Sequence, residues 1–307
     1  MKRENIVVDG EFQRKESNPS FALFDAMDHH MWGESYSRKN VIGNHEVIRN
    51  ATHDQMEKIK NRYYWPNNSL LIVAGKVLHE DVFTQVGQVF GDWVAAGFDP
   101  FVEYPVPEIK PLEKSDYFVI KGPNVTVPLL LIEWQGPDTR NDAPGTYIAD
   151  IFSTIVNQHL GKLQKALINT GLAQQVDLNY LTQKYAGPIS LFVVPNPAKM
   201  KECLAEINKQ IEIFDADDYF TDAELAIAKR HMEIRELKEE EATSEFVHIL
   251  SFWWCSTSLE YFTNYLSNMN NVTRGDLQNY VRKYIKNKPH CAGLLINPTM
   301  EASLLFM

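Results

Sequence analysis

The chain has 307 residues, 44% hydrophobic and 23% charged, the balance of a packed globular protein with room for two domains of the usual ~100–200 residues. A formal net charge of −10 with basic residues scattered along the chain leaves no stripe suited to a phosphate backbone, so no nucleic-acid partner is expected. Three widely spaced cysteines, Cys203, Cys255 and Cys291, cannot build a full disulfide framework and match no Cys-x-x-Cys metal site.

The opening MKRENIVVDGEFQRK lacks the apolar stretch of a signal peptide and reads as the middle of a helix. The longest apolar runs, such as VPLLLI at 127–132, are too short to span a bilayer, so the chain as given reads as soluble, with no membrane partner and its compartment left open. Residues 17–32 open with capping residues and a proline, then space Phe21, Phe24, Met27 and Met31 helically. A second helix is predicted from Thr52 to Tyr64, stopped by WPNN, followed by a buried strand at 69–77 and a helix at 79–93. Residues 98–116 hold four prolines and no apolar periodicity, the composition of an extended tether.

Beyond the tether, 117–122 and 127–136 read as strands, 145–157 and 161–170 as helices, and 174–183 with 187–195 as a strand pair. Three helices follow, the longest predicted over 221–256, and a strand at 291–298 ends the pattern. The order indicates an α+β fold, with a complete lobe at 117–307, a linker at 98–116, and the latter half of a similar lobe at 1–97. The acidic run from Glu236 to Glu245 reads as a solvated helix face, and SFWWC at 251–255 as core. No Gly-x-Ser-x-Gly elbow or phosphate-binding glycine loop is present.

The lobe ends echo each other: THDQMEKIKNRYYWPNNSLLIVAG against TRGDLQNYVRKYIKNKPHCAGLLINP, each a capped helix, aromatic and basic residues, then a strand. The segment YSRKNVIGNHEVI at 36–48 adds Tyr36, Arg38, Ile42, Gly43, Glu46 and Ile48 at family-like spacing, and VPLLLIEWQGP, LQKALINTGLA and FTDAELAIAKRHM follow in order. In these motifs the chain resembles the pitrilysin/insulinase family of zinc metallopeptidases, built from homologous lobes. That resemblance implies two lobes of antiparallel-rich sheet flanked by helices, the first truncated here. It also implies peptide or unfolded polypeptide substrates enclosed between the lobes.

The family's zinc is held by His-x-x-Glu-His and by a glutamate on a later helix. Among the nine histidines no two are three or four apart, so the chain lacks that motif and is expected to be inactive alone and to bind no zinc. The resemblance puts Glu11 at the third-ligand position and Glu4, two turns away, in an outer-shell role; read from the residues alone, both are solvated carboxylates. Leu167 and Gln174 stand where the family's second lobe often has an arginine and a tyrosine that hold substrate, and neither supplies those groups. Three readings stay open. The chain is a fragment of a zinc endopeptidase whose missing half carries the motif, a non-catalytic subunit paired with a catalytic partner, or an unrelated α+β binding module that only mimics these motifs.

Overall fold

The computed structural model describes residues 1–35, 38 and 40–299. It opens with α1 (Lys2–Glu16), α2 (Phe21–Trp32), α3 (His45–Asn50), α4 (His53–Tyr63), α5 (His79–Phe90) and a single turn, α6 (Pro100–Glu103). The turn interrupts the expected tether because Asp99 accepts hydrogen bonds from the Phe101 and Val102 N–H groups and Pro100 occupies the first helical position.

Five strands then form one open sheet: β1 (Asp116–Lys121), β2 (Leu129–Gln135), β3 (Ala173–Tyr180), β4 (Pro188–Pro195) and β5 (Cys291–Ile296). Their order is β1-β5-β2-β4-β3, with β1 parallel to β5 and the other neighbours antiparallel. The chain is thus α+β, and residues 117–298 make the single flanked sheet expected of them. Between and after the strands come α7 (Ala143–Val156), α8 (Lys162–Gln164) running into a π-helical turn at Lys165–Asn169, α9 (Met200–Ile213) and α10 (Asp222–Glu241). They are followed by α11 (Thr243–Ser256), α12 (Leu259–Thr263), α13 (Tyr265–Asn270) and α14 (Arg274–Tyr284).

Strand alternation divides the core between two faces. Leu130, Ile132 and Trp134 of β2, with Ala292, Leu294 and Ile296 of β5, pack under α7, α9, α10 and α14 through Phe152, Ile207, Ala228 and Val281. The opposite face carries Leu131, Cys291 and Leu295, and α2 lies on it with Leu23, Met27, Met31 and Trp32. A helix from before the proline-rich segment therefore covers the second face of this sheet, and β5 is buried at all six positions. Burial on both faces is why its sequence is a continuous apolar run.

Two expected elements differ. Residues 69–77 form no strand and pair with none among the described residues, bending at 75–76, and Leu70, Leu71, Val73 and Val77 are exposed. Their apolar sequence suits a strand, but a strand needs neighbours to take its N–H and C=O groups. The predicted helix over 221–256 is two helices, because Ala242 leaves the helical region at φ −93°, ψ 119°. No described helix is long and apolar enough to cross a membrane.

Candidate functional site

The first helix is fixed by one stripe. Phe12 is buried against the rings of Phe21 and His45 at 5.6 and 4.7 Å. Asp9 meets His45 Nδ1 at 2.5 Å and Arg49 Nη2 at 2.9 Å, and Glu16 meets His45 Nε2 at 2.8 Å. Hydrogen bonds to Asp9 and Glu16 raise the His45 ring above its ordinary value, and its two nitrogens bridge α1 and α3.

Glu4 and Glu11 fall on a different face of α1 from Asp9 and Phe12 and are exposed. Among the described residues no three His, Cys, Asp or Glu side chains are grouped to hold a metal ion. Leu167, in the π-helical turn, is fully buried in the core. Gln174 is exposed at the irregularity that opens β3. The structure brings neither of them to Glu11, and none of the four lines the 740 Å³ cavity between α1, α2 and α3.

That cavity is lined by the motif residues instead. Arg38 Nη2 donates to the carbonyls of Tyr185 and of Ala186, the latter at 2.7 Å, while its guanidinium lies 4.6 Å over the Trp32 ring. Asp138 accepts the Ala186 N–H at 3.0 Å, so Arg38 and Asp138 together grip a turn in which Ala186 has φ +35°. Burial lowers the Arg38 guanidinium to about 10. Beside it, burial and then the like charge of Asp25 push the Asp28 carboxyl up to about 6. Burial pushes Glu133 up to about 7, against the opposing 2.6 Å hydrogen bond donated by Ser190 Oγ. Tyr36 of the same motif lies outside the described residues.

This is a charged seam between the N-terminal helices and the sheet, in which Arg38 and Asp138 hold the turn at 185–186. Sequence reasoning took Arg38 as a motif match and missed its task. Glu133, a carboxylate inside the apolar run LLLIEWQ, was the signal available for the other side of the seam. Glu236 is a further correction: placed by its acidic neighbours on a solvated face, it is buried at 7% exposure.

The peptidase M16 inactive-domain family matches residues 50–232. The chain belongs to that family. The match agrees with the resemblance to the pitrilysin/insulinase peptidases carried by the motifs. This M16 chain is 25% identical over 187 residues to the mitochondrial presequence protease of Emericella nidulans, a match covering 56% of the chain and 17% of that protein. A protease from Helicobacter pylori superposes with a TM-score of 0.83 at 19% identity, over 96% of this chain and 71% of that one. The periplasmic protease PqqL from Escherichia coli gives 0.71 at 14% identity, over all of this chain and 35% of that one. At such identities the structural likeness establishes the fold. The M16 chain thus spans under a fifth of the length of its curated relative.

Proposed function

We propose that the chain is the rear part of a zinc-dependent endopeptidase that cleaves peptides or unfolded polypeptides enclosed between two lobes. Residues 1–97 are then the C-terminal half of the zinc-type lobe, 98–116 the tether and 117–307 the non-catalytic lobe. One observation carries this reading. The segment 69–77 has the sequence of a buried strand yet pairs with no strand among the described residues, and it lines a 370 Å³ apolar cavity with Val82, Phe83 and Val86 of α5, a helix with no buried residue, and with Leu250 and Leu259 of α11 and α12. Apolar surface of this kind, beside a finished sheet elsewhere in the chain, supports the reading of 1–97 as a half-lobe that lacks partner strands.

In this reading Glu11 supplies one zinc ligand, Glu4 orients it, and the histidine pair and water-activating glutamate come from a His-x-x-Glu-His segment of the same polypeptide or of a partner subunit. The substitutions at Leu167 and Gln174 favour a second reading, in which the whole assembly's active centre lies on a different subunit and this one presents substrate. Co-expression of the chain with the His-x-x-Glu-His segment of its parent gene decides between them. The first reading expects chelator-sensitive cleavage of unfolded casein, lost by ~100-fold or more in Glu11→Gln and by about 10–100-fold in Glu4→Gln. A stable complex without cleavage, or cleavage indifferent to Glu11, overturns it.

A further inference from the structure

The break at Ala242 sets α10 and α11 as two walls of a second cavity, of about 260 Å³, far from the Arg38 seam in sequence. Its interior holds Asp150 from α7, Glu236 from α10, Trp253 from α11 and Tyr265 from α13, with Tyr180 of β3 beside them. Trp253 and Tyr265 are buried, at 9% and 3% exposure. The rim carries Arg235, Glu239, His248 and Phe252.

Glu236 is the decisive group. It is more than nine-tenths buried, lines the cavity, and accepts no hydrogen bond from any described residue. Its carboxyl oxygens are not sealed in the core but open onto the cavity, where a cationic ligand can meet them. Asp150 is only partly provided for: Tyr265 OH donates to its Oδ2 at 2.7 Å, and its other oxygen remains. Burial pushes the Asp150 carboxyl up to about 7 and raises Glu236 as well, the response of carboxyls held in a poorly solvated place. The charge of Arg235 at the rim offsets this in part for both carboxyls, but it donates to neither: it is exposed, and its ion pair is with Glu239 at 4.0 Å.

We infer that this cavity is a binding site for an organic cation, the ammonium of a lysine side chain or small amine or the guanidinium of an arginine. Three features fix the class. The carboxylates at Asp150, Glu236 and Glu239 outnumber the single arginine. The walls include Tyr180, Trp253 and Tyr265, aromatic side chains of the kind that attract a cation. The donors are not grouped to coordinate a metal ion, whereas an ammonium or guanidinium needs only convergent acceptors. The volume lies below the ~300–1,000 Å³ of sites for whole drug-sized ligands, and suits a side chain or a small amine. The inference does not depend on the peptidase reading, since every residue in it belongs to the completed lobe.

Calorimetric titration of the full chain tests it with four probes: n-butylammonium, methylguanidinium, Nα-acetyl-lysinamide and the neutral Nα-acetyl-norleucinamide. The cations are expected to bind one per chain and to quench Trp253 fluorescence, with the neutral amide at least about ten-fold weaker. Glu236→Gln, close in shape and freed of a buried charge, is expected to keep its melting temperature and lose cation affinity by about ten-fold or more. If that variant folds poorly, Ile249→Lys serves instead: it tethers an ammonium at the cavity wall and is expected to abolish binding of the free probes. A lysine-containing peptide binding more tightly than n-butylammonium assigns the site to polypeptide side chains, and the reverse order to free amines. Equal binding of neutral and cationic probes, no binding by any cation, or affinity unchanged in Glu236→Gln with Ile249→Lys overturns the inference.

Discussion

Glu133 stands in the middle of β2, 8% exposed, and accepts a hydrogen bond from the Ser190 hydroxyl. Its folded-state carboxyl titrates near 7, above its ordinary 4.5. Below 4.5 it is neutral whether the chain is folded or not, so nothing is lost. As pH rises from 4.5 through 7 the unfolded chain releases the proton more readily than the folded one, and stability falls. Glu133→Gln keeps an acceptor for Ser190 and removes the titration. It is expected to raise stability by on the order of 1–3 kcal/mol at pH 8 and by little at pH 4.5; denaturant melts at both pH values measure this, and a pH-independent gain would refute the assignment. Asp28, pushed the same way across the seam, adds a slope of the same sign in the wild type. The sequence announced Glu133 as an anomaly in an apolar strand, but its neighbours Arg38 and Asp28 lie about a hundred residues earlier and only the fold joins them.

Elements in this chain are placed by close approach as much as by propensity. Gly293 is the clearest case: a Cβ there would lie 2.3 Å from Phe118 Cζ and 2.9 Å from Leu23 Cδ1, so glycine lets β1 and α2 close over β5. Gly293→Ala is expected to cost about 1–3 kcal/mol by overpacking and to speed amide exchange in α2 before the rest of the sheet. Unchanged exchange in α2 would show that the helix does not depend on that contact. The break between α10 and α11 has the opposite origin. EEATSE contains neither glycine nor proline, and alanine is the best helix former, so local sequence favours continuity. Tertiary packing decides, as α11 turns to place Trp253 within 4.8 Å of the Tyr261 ring and 5.7 Å of Tyr265.

Across the whole molecule, two stretches of the same pattern meet different fates. Both begin with a capping box, Thr52 with Gln55 and Thr273 with Asp276, and both end in an apolar segment. β5 finds β1 and β2 on its two sides and α2 with α14 on its faces; residues 69–77 find no strand among the described residues. A double substitution Leu71→Lys and Val73→Lys is therefore expected to leave the isolated chain's stability within about 0.5 kcal/mol. The same change should lower its self-association in light scattering and block assembly with a complementing segment. A fall of several degrees in melting temperature would show instead that the segment is already packed.

What the sequence determined by itself was whatever depends on short-range pattern: the α+β order, the capped helices, the strands of the 117–298 lobe and the motif string that marks the family. Caps, turns and side-chain periodicity act over a few residues, so they are written locally. Only the tertiary structure decided which apolar segment becomes a paired strand, where the 221–256 helix breaks, that α2 roofs the sheet, and that Glu236 leaves the solvated face for a cavity. Each of these is set by contacts between residues distant in the chain, where burial and the pairing of polar groups outweigh the preferences of any single stretch.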